Sequence, residues 1–529
     1  MIDEPLFIRP NLTIEGLVDQ FYAWTYLLSP AASAMNLVNL QLPMLDSYLE
    51  QPRTHADAVA NPRMKGGFFV DHGGARLDEI KALRDHMSTE NTDLVALASA
   101  VKEAEDLLRA QADGYDLTPL YGRLPASLRG YVELVYDRDH HASLRFLEAA
   151  LYRSPYYRES RQSVELMLDD GGERPFFMST PRLPQEGHLQ LPLPLRHPGI
   201  DTLFAMRSTS RTFKDLREAL EISDDRVAGN LRAYLTDRPL LREDVTVEDG
   251  CRIRYFGHAC LVLQTSAVSI VVDPFVSGHT AAEDRRFTYA DLPEHIDYCL
   301  ITHGHPDHTV LETLLQIRAR TDLVVVPRCG GGALQDPSLK RLLENLGFTV
   351  EEVDDFDVLD FEGGEIVATP FFGEHCDLDV RSKSTYWIRL GGKTVFVDAD
   401  SSGVEPELYG HIARVVGRTD IAFLGMECDG APLTWMYGGL LTQPVSRRMS
   451  VTRKLSGSDA AQALGIIEQL GCSKAYVYAM GEESWLQHVM AISYTPESYQ
   501  LKQVAEFLDG CAHRGIEAEH LLVRKELRW

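Results

Sequence analysis

Hydrophobic residues follow two different spacings along the chain. In the N-terminal part, TIEGLVDQFYAW and LDEIKALRDHM carry apolar residues at helical spacing, and a proline-rich section from Glu173 to Pro198 is predicted to contain β-structure. After Gly250 come short runs rich in β-branched residues: CLVLQT, VSIVVDPF, LVVVP, EIVAT and KTVFVDAD. Strands that alternate with helical segments such as PSLKRLLENLG are typical of a layered α/β domain. The pattern predicts a mixed α+β N-terminal domain followed by an α/β C-terminal domain.

The spacing changes at a polar stretch, LTDRPLLREDVTVEDG, from Leu235 to Gly250. The chain has 529 residues, which is too long for one hydrophobic core, because single cores stop growing at about 250–300 residues. We therefore predict two domains, residues 1–245 and residues 246–529.

Composition excludes several classes of function. The net charge of -26 argues against a nucleic-acid binder, which needs a basic surface. No apolar run approaches the roughly 18 residues of a membrane span, and MIDEPLFIRP lacks the features of a secretion signal. All eight cysteines lie at or after Cys251 and none forms a C-x-x-C pair, so reduced core thiols are expected. These features predict a cytoplasmic protein without a membrane or nucleic-acid partner.

Four residues with metal-binding side chains lie within six positions in the stretch ITHGHPDHTV. The preceding DYCLIT suits a buried strand, and the following VLETLLQIRA has helical spacing. Residues two apart in an extended loop point the same way, so His303 and His305 can hold one metal ion, while Asp307 and His308 can serve a second one nearby. The cluster therefore predicts half of a two-metal site.

Further candidate ligands follow other predicted strands, in TPFFGEHCDLD, KTVFVDADSSG and IAFLGMECDG. A carboxylate at one strand end is usually a solvated cap, but the same position after successive strands lets several loops converge on one point. The residues concerned are Glu374, His375, Asp398, Asp400, Glu427 and Asp429.

The motif HGHPDH resembles the signature of the metallo-β-lactamase fold, an αββα sandwich with a two-metal site at one edge. YFGHACLVLQT and VVDPF are similar to the opening hairpin of that fold and to the Asp-Pro that follows it, and DAD is similar to the loop whose aspartate bridges the metals, here Asp400. The resemblance covers roughly residues 250 to 490. It implies a C-terminal αββα sandwich.

Two departures from that fold's usual pattern narrow the resemblance. Glu374 lies where a metal-binding histidine is usual. AYVYAMGEE ends in Met-Gly-Glu, where the last metal-binding histidine is usual, so Glu427, Glu482 or water would fill the ligand position of that histidine. A site with three imidazoles and three carboxylates suits iron, because hard oxygen donors stabilise its oxidised state. Over its whole length the chain resembles the diiron β-hydroxylases of nonribosomal peptide biosynthesis.

This resemblance implies an O2-dependent diiron monooxygenase of antibiotic biosynthesis. Its substrate would be an amino acid, aromatic like L-p-aminophenylalanine, tethered as a thioester to a nonribosomal peptide synthetase carrier domain and hydroxylated at the β-carbon. The two iron ions would be bridged by an oxo group or a carboxylate. His303, His305 and the catalytic Glu374 would hold one iron, Asp307 and His308 the other, and Asp400 would bridge them. The N-terminal domain would form a homodimer and cover the active site.

An alternative class of function stays open on the residues alone. A dizinc metallo-hydrolase of the lactonase or phosphodiesterase type would use the same loop to hold two zinc ions, with a metal-bound hydroxide as nucleophile. No G-x-G-x-x-G opens a helix after a strand, so an oxygenase would take its electrons from an external reductase or other donor.

Several other residues have expected places. His258 is expected to pack beneath the site and His375 beside it, while His140 and His141 belong to a helical stretch at the surface. GAPLTWMYGG is expected to form either a pocket wall for an aromatic substrate or a buried packing loop. Carrier domains are acidic, so this acidic chain needs a local basic or apolar docking surface, for which SRRMSVTRKL and RSTSRTFKDLR are candidates.

Overall fold

The computed structural model describes residues 4–240, 245–278 and 286–529. Residues 241–244 of the polar stretch where the sequence places the domain boundary lie outside the described residues. None of the described helices has the length and apolar content needed to cross a lipid bilayer.

The N-terminal part is built on a four-stranded antiparallel sheet of order β3-β2-β6-β7, flanked by helices. A π-helical turn, Leu37–Gln41, joins its second and third helices. The strands are β1 (Phe7–Ile8), β2 (Leu12–Val18), β3 (Phe21–Tyr22), β4 (Val132–Tyr136), β5 (Ala142–Phe146), β6 (Gln162–Leu168), β7 (His188–Leu191) and β8 (Leu235–Thr236). The helices are α1 (Thr25–Leu28), α2 (Pro30–Asn36), α3 (Leu42–Glu50), α4 (Pro52–Val59), α5 (Leu77–Glu90), α6 (Thr92–Gln111), α7 (Thr118–Tyr121), α8 (Glu148–Leu151), α9 (Pro198–Ala205), α10 (Phe213–Ala219) and α11 (Asp225–Leu231).

Two local predictions for this part are wrong and one is confirmed. TIEGLVDQFYAW is not helical: it begins with β2, which is buried along its whole length. A strand covered on both faces loses the alternation by which strands are recognised, so its spacing imitates a helix. His140 and His141 are exposed as expected, but they lie in the turn between β4 and β5, where Asp137 accepts backbone hydrogen bonds. LDEIKALRDHM forms α5 as predicted.

The C-terminal part is the predicted αββα sandwich, with two seven-stranded sheets of orders β14-β13-β12-β11-β10-β9-β22 and β15-β16-β17-β18-β19-β20-β21. Its strands are β9 (Arg252–Tyr255), β10 (Leu261–Gln264), β11 (Ser269–Val272), β12 (Ile296–Leu300), β13 (Thr321–Pro327), β14 (Val350–Val353), β15 (Val358–Phe361), β16 (Gly364–Thr369), β17 (Thr385–Leu390), β18 (Lys393–Val397), β19 (Ile421–Gly425), β20 (Lys474–Tyr478), β21 (Glu517–His520) and β22 (Lys525–Arg528). Its helices are α12 (Leu311–Ile317), α13 (Leu339–Asn345), α14 (Glu407–Val416), α15 (Leu433–Tyr437), α16 (Arg447–Thr452), α17 (Ala460–Leu470), α18 (Gln487–Met490) and α19 (Tyr499–His513).

Three apolar cores hold these layers together. One lies between the two sheets, and a second lies between the outer face of the second sheet and the helices α14, α17 and α19. The third is the largest and contains both the N-terminal apolar residues and the helix-covered face of the first sheet. Leu12 and Ile14 of β2 share this core with Leu311 and Leu315 of α12. The N-terminal part is therefore packed onto the sandwich as an additional layer.

A cluster of buried charges crosses the same junction. Arg174 Nη1 lies 3.0 Å from Glu15 Oε1 and 2.9 Å from Glu312 Oε2, and Arg182 Nε lies 2.5 Å from Glu15 Oε2. Arg174 also donates to His488 Nε2 at 2.7 Å. Burial raises the pKa of Glu312, but Arg174 and His488 outweigh it and hold that pKa well below its usual range. Buried charges of this kind stabilise only as a paired set.

We expect Glu312→Gln to lower the free energy of unfolding by about 3–5 kcal/mol, because Arg174 loses a buried partner of opposite charge. Since the pKa of Glu312 is lowered in the fold, its contribution is present above the ordinary Glu value of about 4.3 and is lost as the pH falls further. Urea unfolding at neutral and acidic pH measures both effects. Glu365→Gln in the exposed pair with Arg389 is the matched control, for which a change below about 1 kcal/mol is expected. Equal losses in the two variants would contradict the prediction.

Candidate metal centre

The HGHPDH loop lies between the end of β12 and the start of α12, and its side chains turn into the protein. His303 Nε2 lies 3.1 Å from His305 Nδ1. Glu374, from the loop after β16, places Oε1 3.1 Å from His305 Nδ1 and Oε2 4.0 Å from His303 Nε2. Together with His375, these three buried side chains form one group of potential metal ligands.

A second group lies beside the first. Asp307 Oδ2 lies 3.5 Å from His308 Nε2 and 3.1 Å from His258 Nε2. Asp400 Oδ2 lies 3.1 Å from His308 Nε2 and 3.8 Å from His303 Nε2, and so stands between the two groups. The structure thus brings the six predicted ligands together: His303, His305, Asp307, His308, Glu374 and Asp400. Asp400 lies between the two groups, where a bridging carboxylate would lie.

Several loops around these residues contain left-handed backbone close to the strand that they follow. Positive φ angles occur at His258 (48°), Asp273 (41°), Glu374 (67°), Ala399 (51°) and Ala479 (56°), just beyond β9, β11, β16, β18 and β20. Residues other than glycine pay about 1–3 kcal/mol each for sparsely populated backbone. The rigid sheets hold these turns in place, and the turns at His258, Asp273 and Glu374 direct these three side chains to the ligand groups.

Hydrogen bonds on the far side of the imidazole rings orient them. His308 Nδ1 lies 2.8 Å from Asp273 Oδ2, which leaves Nε2 facing Asp400. His305 Nε2 lies 3.1 Å from the Tyr437 hydroxyl, which leaves Nδ1 facing Glu374. Such contacts fix the tautomer and the ring plane of a metal-binding histidine. Asp273 lies in VVDPF and Tyr437 lies in GAPLTWMYGG, two stretches that were noted in the sequence. That each of them orients a histidine was not predicted.

The buried carboxylates give the site negative charge that bound metal cations would neutralise. Burial lowers the pKa of His308, but Asp400, Asp307 and Asp273 outweigh it and raise that pKa well above its usual value. The carboxylates therefore create a strong demand for positive charge. Asp400 Oδ1 is buried and has no hydrogen-bond partner among the described residues. The predicted set of three imidazoles and three carboxylates lies in these groups together with His258 and His375, and its three carboxylates fit a pair of metal ions that prefers oxygen donors.

The remaining candidates lie around these groups. His375 Nδ1 lies 3.0 Å from Glu374 Oε2, and its ring stacks on His305 at 4.5 Å, so it braces both. His258 is buried and belongs with Asp307 and His308 to the second group of potential ligands, although the sequence predicted a packing role for it. The other carboxylates named from the sequence lie outside the two ligand groups: Asp398 is buried beside Tyr409, Asp429 pairs with Lys454, Glu482 lies 3.0 Å from His520, and Glu427 lines the adjoining cavity.

A cavity of about 650 Å³ opens from the ligand groups and has walls from both parts of the chain. The N-terminal part supplies a loop from Arg63 to Phe69. Trp435 Nε1, from the C-terminal part, donates a hydrogen bond to the carbonyl oxygen of Gly66 in this loop at 2.8 Å. Trp435 and Met436 of α15 also line it, so GAPLTWMYGG forms a cavity wall, one of the two expectations for that stretch. The volume suits a small organic substrate.

Comparisons with known proteins cover the whole chain. Residues 7–239 match a family described as the diiron non-heme beta-hydroxylase N-terminal domain, and residues 252–398 match a beta-lactamase superfamily domain. The chain is 37% identical over 531 residues to the 4-amino-L-phenylalanyl-[CmlP-peptidyl-carrier-protein] 3-hydroxylase of Streptomyces venezuelae, which covers 98% of this chain and 99% of that protein. The crystal structure of CmlA, a diiron beta-hydroxylase from Streptomyces venezuelae, matches with a TM-score of 0.92 at 36% identity over 100% of both chains. A metal-dependent hydrolase of Desulforamulus reducens is 31% identical over 75 residues, 14% of this chain and 29% of the hydrolase.

We expect Glu374→Ala to lower the iron content and to shift the visible absorption while the fold is kept, because the first ligand group loses its carboxylate. Glu374→His should favour zinc, since it replaces an oxygen donor with the nitrogen donor that is usual in the hydrolases. Metal analysis, absorption spectra and circular dichroism measure these effects. Glu482→Ala, outside both ligand groups, is the matched control and should keep its iron. A Glu374→Ala protein with unchanged iron and spectrum would exclude Glu374 as a ligand.

Proposed function

This chain belongs to the diiron non-heme β-hydroxylases, and from that premise we propose that it hydroxylates the β-carbon of a carrier-tethered amino acid in antibiotic biosynthesis. The observation that carries the proposal is the three-carboxylate site, which opens into a cavity walled partly by a diiron β-hydroxylase N-terminal domain. The hydroxylase of Streptomyces venezuelae matches 98% of this chain, whereas the metal-dependent hydrolase of Desulforamulus reducens matches 14%. This difference favours the oxygenase over the dizinc hydrolase.

We propose that His303, His305 and Glu374 hold one iron ion, that Asp307 and His308 hold the second, and that Asp400 bridges them. The contacts of Asp400 with His303 and His308 support this division, since they place Asp400 between the groups. Two iron ions bound there supply the chemistry of O2 activation and insertion of one oxygen atom into a C–H bond. This enzyme class takes O2 as its cosubstrate and electrons from an external donor.

We propose that residues from both parts of the chain position the substrate at the ligand groups. The ligand groups lie at the buried end of the cavity, and the side chains of Trp435 and Met436 offer an apolar wall to an aromatic ring. The related enzyme acts on a 4-amino-L-phenylalanyl group bound to a peptidyl carrier protein, and we propose an aromatic aminoacyl thioester for this chain as well. The loop from Arg63 to Phe69 would cover the bound substrate.

We propose that the carrier domain docks on α16. This helix packs beside α15 of the cavity wall and exposes Arg447 and Arg448, together with 47% of Met449 and 43% of Val451. Such a mixture of basic and apolar side chains suits an acidic partner. The second stretch considered from the sequence is less suitable, because Arg207 is buried and donates to the carbonyl oxygens of β2 and its flank.

Three further features belong to the proposal. We propose the division into residues 1–245 and 246–529, and the support for it is that one family match ends at residue 239 and the other begins at residue 252. We propose a homodimer formed through the N-terminal domain on the family resemblance alone. We also propose that the enzyme works in the cytoplasm, where a reducing environment keeps thiols such as its eight free cysteines reduced.

The function is tested with purified protein, reductant and O2. We expect close to two iron ions per chain and hydroxylation at the β-carbon of an L-p-aminophenylalanyl group loaded on a carrier domain, because the thioester arm delivers the substrate into the cavity. The free amino acid should be a poor substrate by comparison, and product analysis by mass spectrometry measures both. Two tightly held zinc ions, or a free amino acid hydroxylated as fast as the tethered one, would contradict the proposal.

Charge reversal on α16 tests the docking surface. We expect Arg447→Glu with Arg448→Glu to slow hydroxylation of the carrier-bound substrate about tenfold at low ionic strength and to weaken its salt dependence, because basic side chains steer an acidic carrier. The matched control is Arg389→Glu with Lys393→Glu, exposed positions at the hairpin of β17 and β18 away from the ligand groups. Equal slowing in both double variants would show that total charge matters and the α16 surface does not.

A further inference from the structure

Glu427 is a carboxylate of the cavity wall that neither ligand group includes. It lies just beyond β19, on the loop that leads to α15. Its Oε1 accepts a hydrogen bond from Gln500 Nε2 at 3.0 Å, and its Oε2 is buried and accepts none from the described residues. A carboxylate can accept about four hydrogen bonds, so most of the capacity of Glu427 is unused.

Two other charged groups of the cavity wall, Asp429 and Lys65, already have partners. Asp429 pairs with Lys454, and Lys65 donates to Gln487 and Ser493. Burial raises the pKa of Glu427 to about 7, and the carboxylates of Asp400 and Asp429 add to this. Lys454 acts to lower this pKa, but no cation among the described residues forms an ion pair with Glu427, and binding a cationic ligand would relieve the cost of its charge.

The substrate class under the proposed function, on which this inference rests, supplies such a cation. An aminoacyl group loses its carboxylate to the thioester when it is loaded on a carrier. Its α-amino group stays free and carries the one charge that every such substrate has in common. This group is bonded to Cα, and Cα is bonded to the carbon that is hydroxylated.

We propose that Glu427 binds the α-ammonium group of the carrier-tethered amino acid. The ion pair fixes Cα at the wall between the ligand groups and α15. With the thioester arm directed to the cavity mouth and the side chain against Trp435, the β-carbon is left to face the ligand groups. Glu427 is then a residue that determines specificity: it selects α-amino acyl groups over acyl groups without the amine.

Glu427→Gln tests this inference because it keeps the shape of the side chain and the contact with Gln500 but removes the charge. The probes are full-length iron-loaded enzyme and carrier domains loaded with L-p-aminophenylalanyl, L-phenylalanyl or 3-(4-aminophenyl)propanoyl groups, the last of which lacks the α-amine. Affinity is measured by titrating each loaded carrier, and iron content is measured in parallel. Asp429→Asn is the control, because it neutralises a carboxylate of the same wall that already has a cation.

In the wild type, both aminoacyl carriers should bind more tightly than the carrier without the α-amine. Glu427→Gln should weaken binding of both aminoacyl carriers about 10- to 100-fold, as expected for loss of a charged hydrogen bond, and should leave the third carrier unaffected. Iron content should stay at the wild-type value, and Asp429→Asn should keep the discrimination.

Five outcomes would overturn the inference. A loss of iron would make Glu427 a metal ligand, and a loss confined to the p-aminophenylalanyl carrier would place the aromatic amine at Glu427. Equal weakening for all three carriers would assign it a structural role. If the wild type hydroxylates none of the carriers, both the proposed function and the ammonium site are wrong. If the wild type is active and Glu427→Gln discriminates between the carriers as the wild type does, only the ammonium site is wrong.

Discussion

The pairing of Glu312 with Arg174 is the contact on which the geometry of the site depends. Glu312 lies in the first turn of α12, four positions after His308, and so the ion pair ties the metal-binding loop to the N-terminal part of the chain. His488, on the segment that continues into the cavity wall at Val489 and Met490, contacts the same arginine. Separating these groups would leave buried charge uncompensated. The ion pair therefore fixes the HGHPDH loop, the cavity wall and the N-terminal layer in position relative to one another.

The metal-binding groups show how far local sequence patterns reach. HGHPDH and the carboxylates at strand ends could be recognised because each depends on a few neighbouring residues and on the convergence of strands at one edge of a sandwich. The role of Tyr437 could not, since its partner His305 lies 132 positions away. The same holds for the loop from Arg63 to Phe69. Its place in the cavity wall comes from packing between distant parts of the chain, which leaves no periodic trace in the sequence.

Two errors of the sequence analysis have one physical cause. The strand β2 was expected to be a helix and Arg207 was expected at the surface, and both are buried where the N-terminal layer meets α12. Burial on every side removes the contrast between apolar and polar positions that makes an element recognisable. An arginine in such a place is satisfied by backbone carbonyl oxygens, here those of Pro10 and Leu12, and its charge gives no hint of its depth.

The largest apolar core contains side chains of the N-terminal sheet and of α12 without an intervening gap, so the two parts of the chain do not behave as interchangeable modules. A minimal sandwich cut from this chain would expose the outer face of α12 to water. Grafting the N-terminal part onto an unrelated hydrolase would require a matching apolar surface on the recipient. Within this family, changes on either side of the junction are accordingly expected to occur in compensating pairs, and chimeras between relatives should be designed with β2 and α12 taken from the same parent.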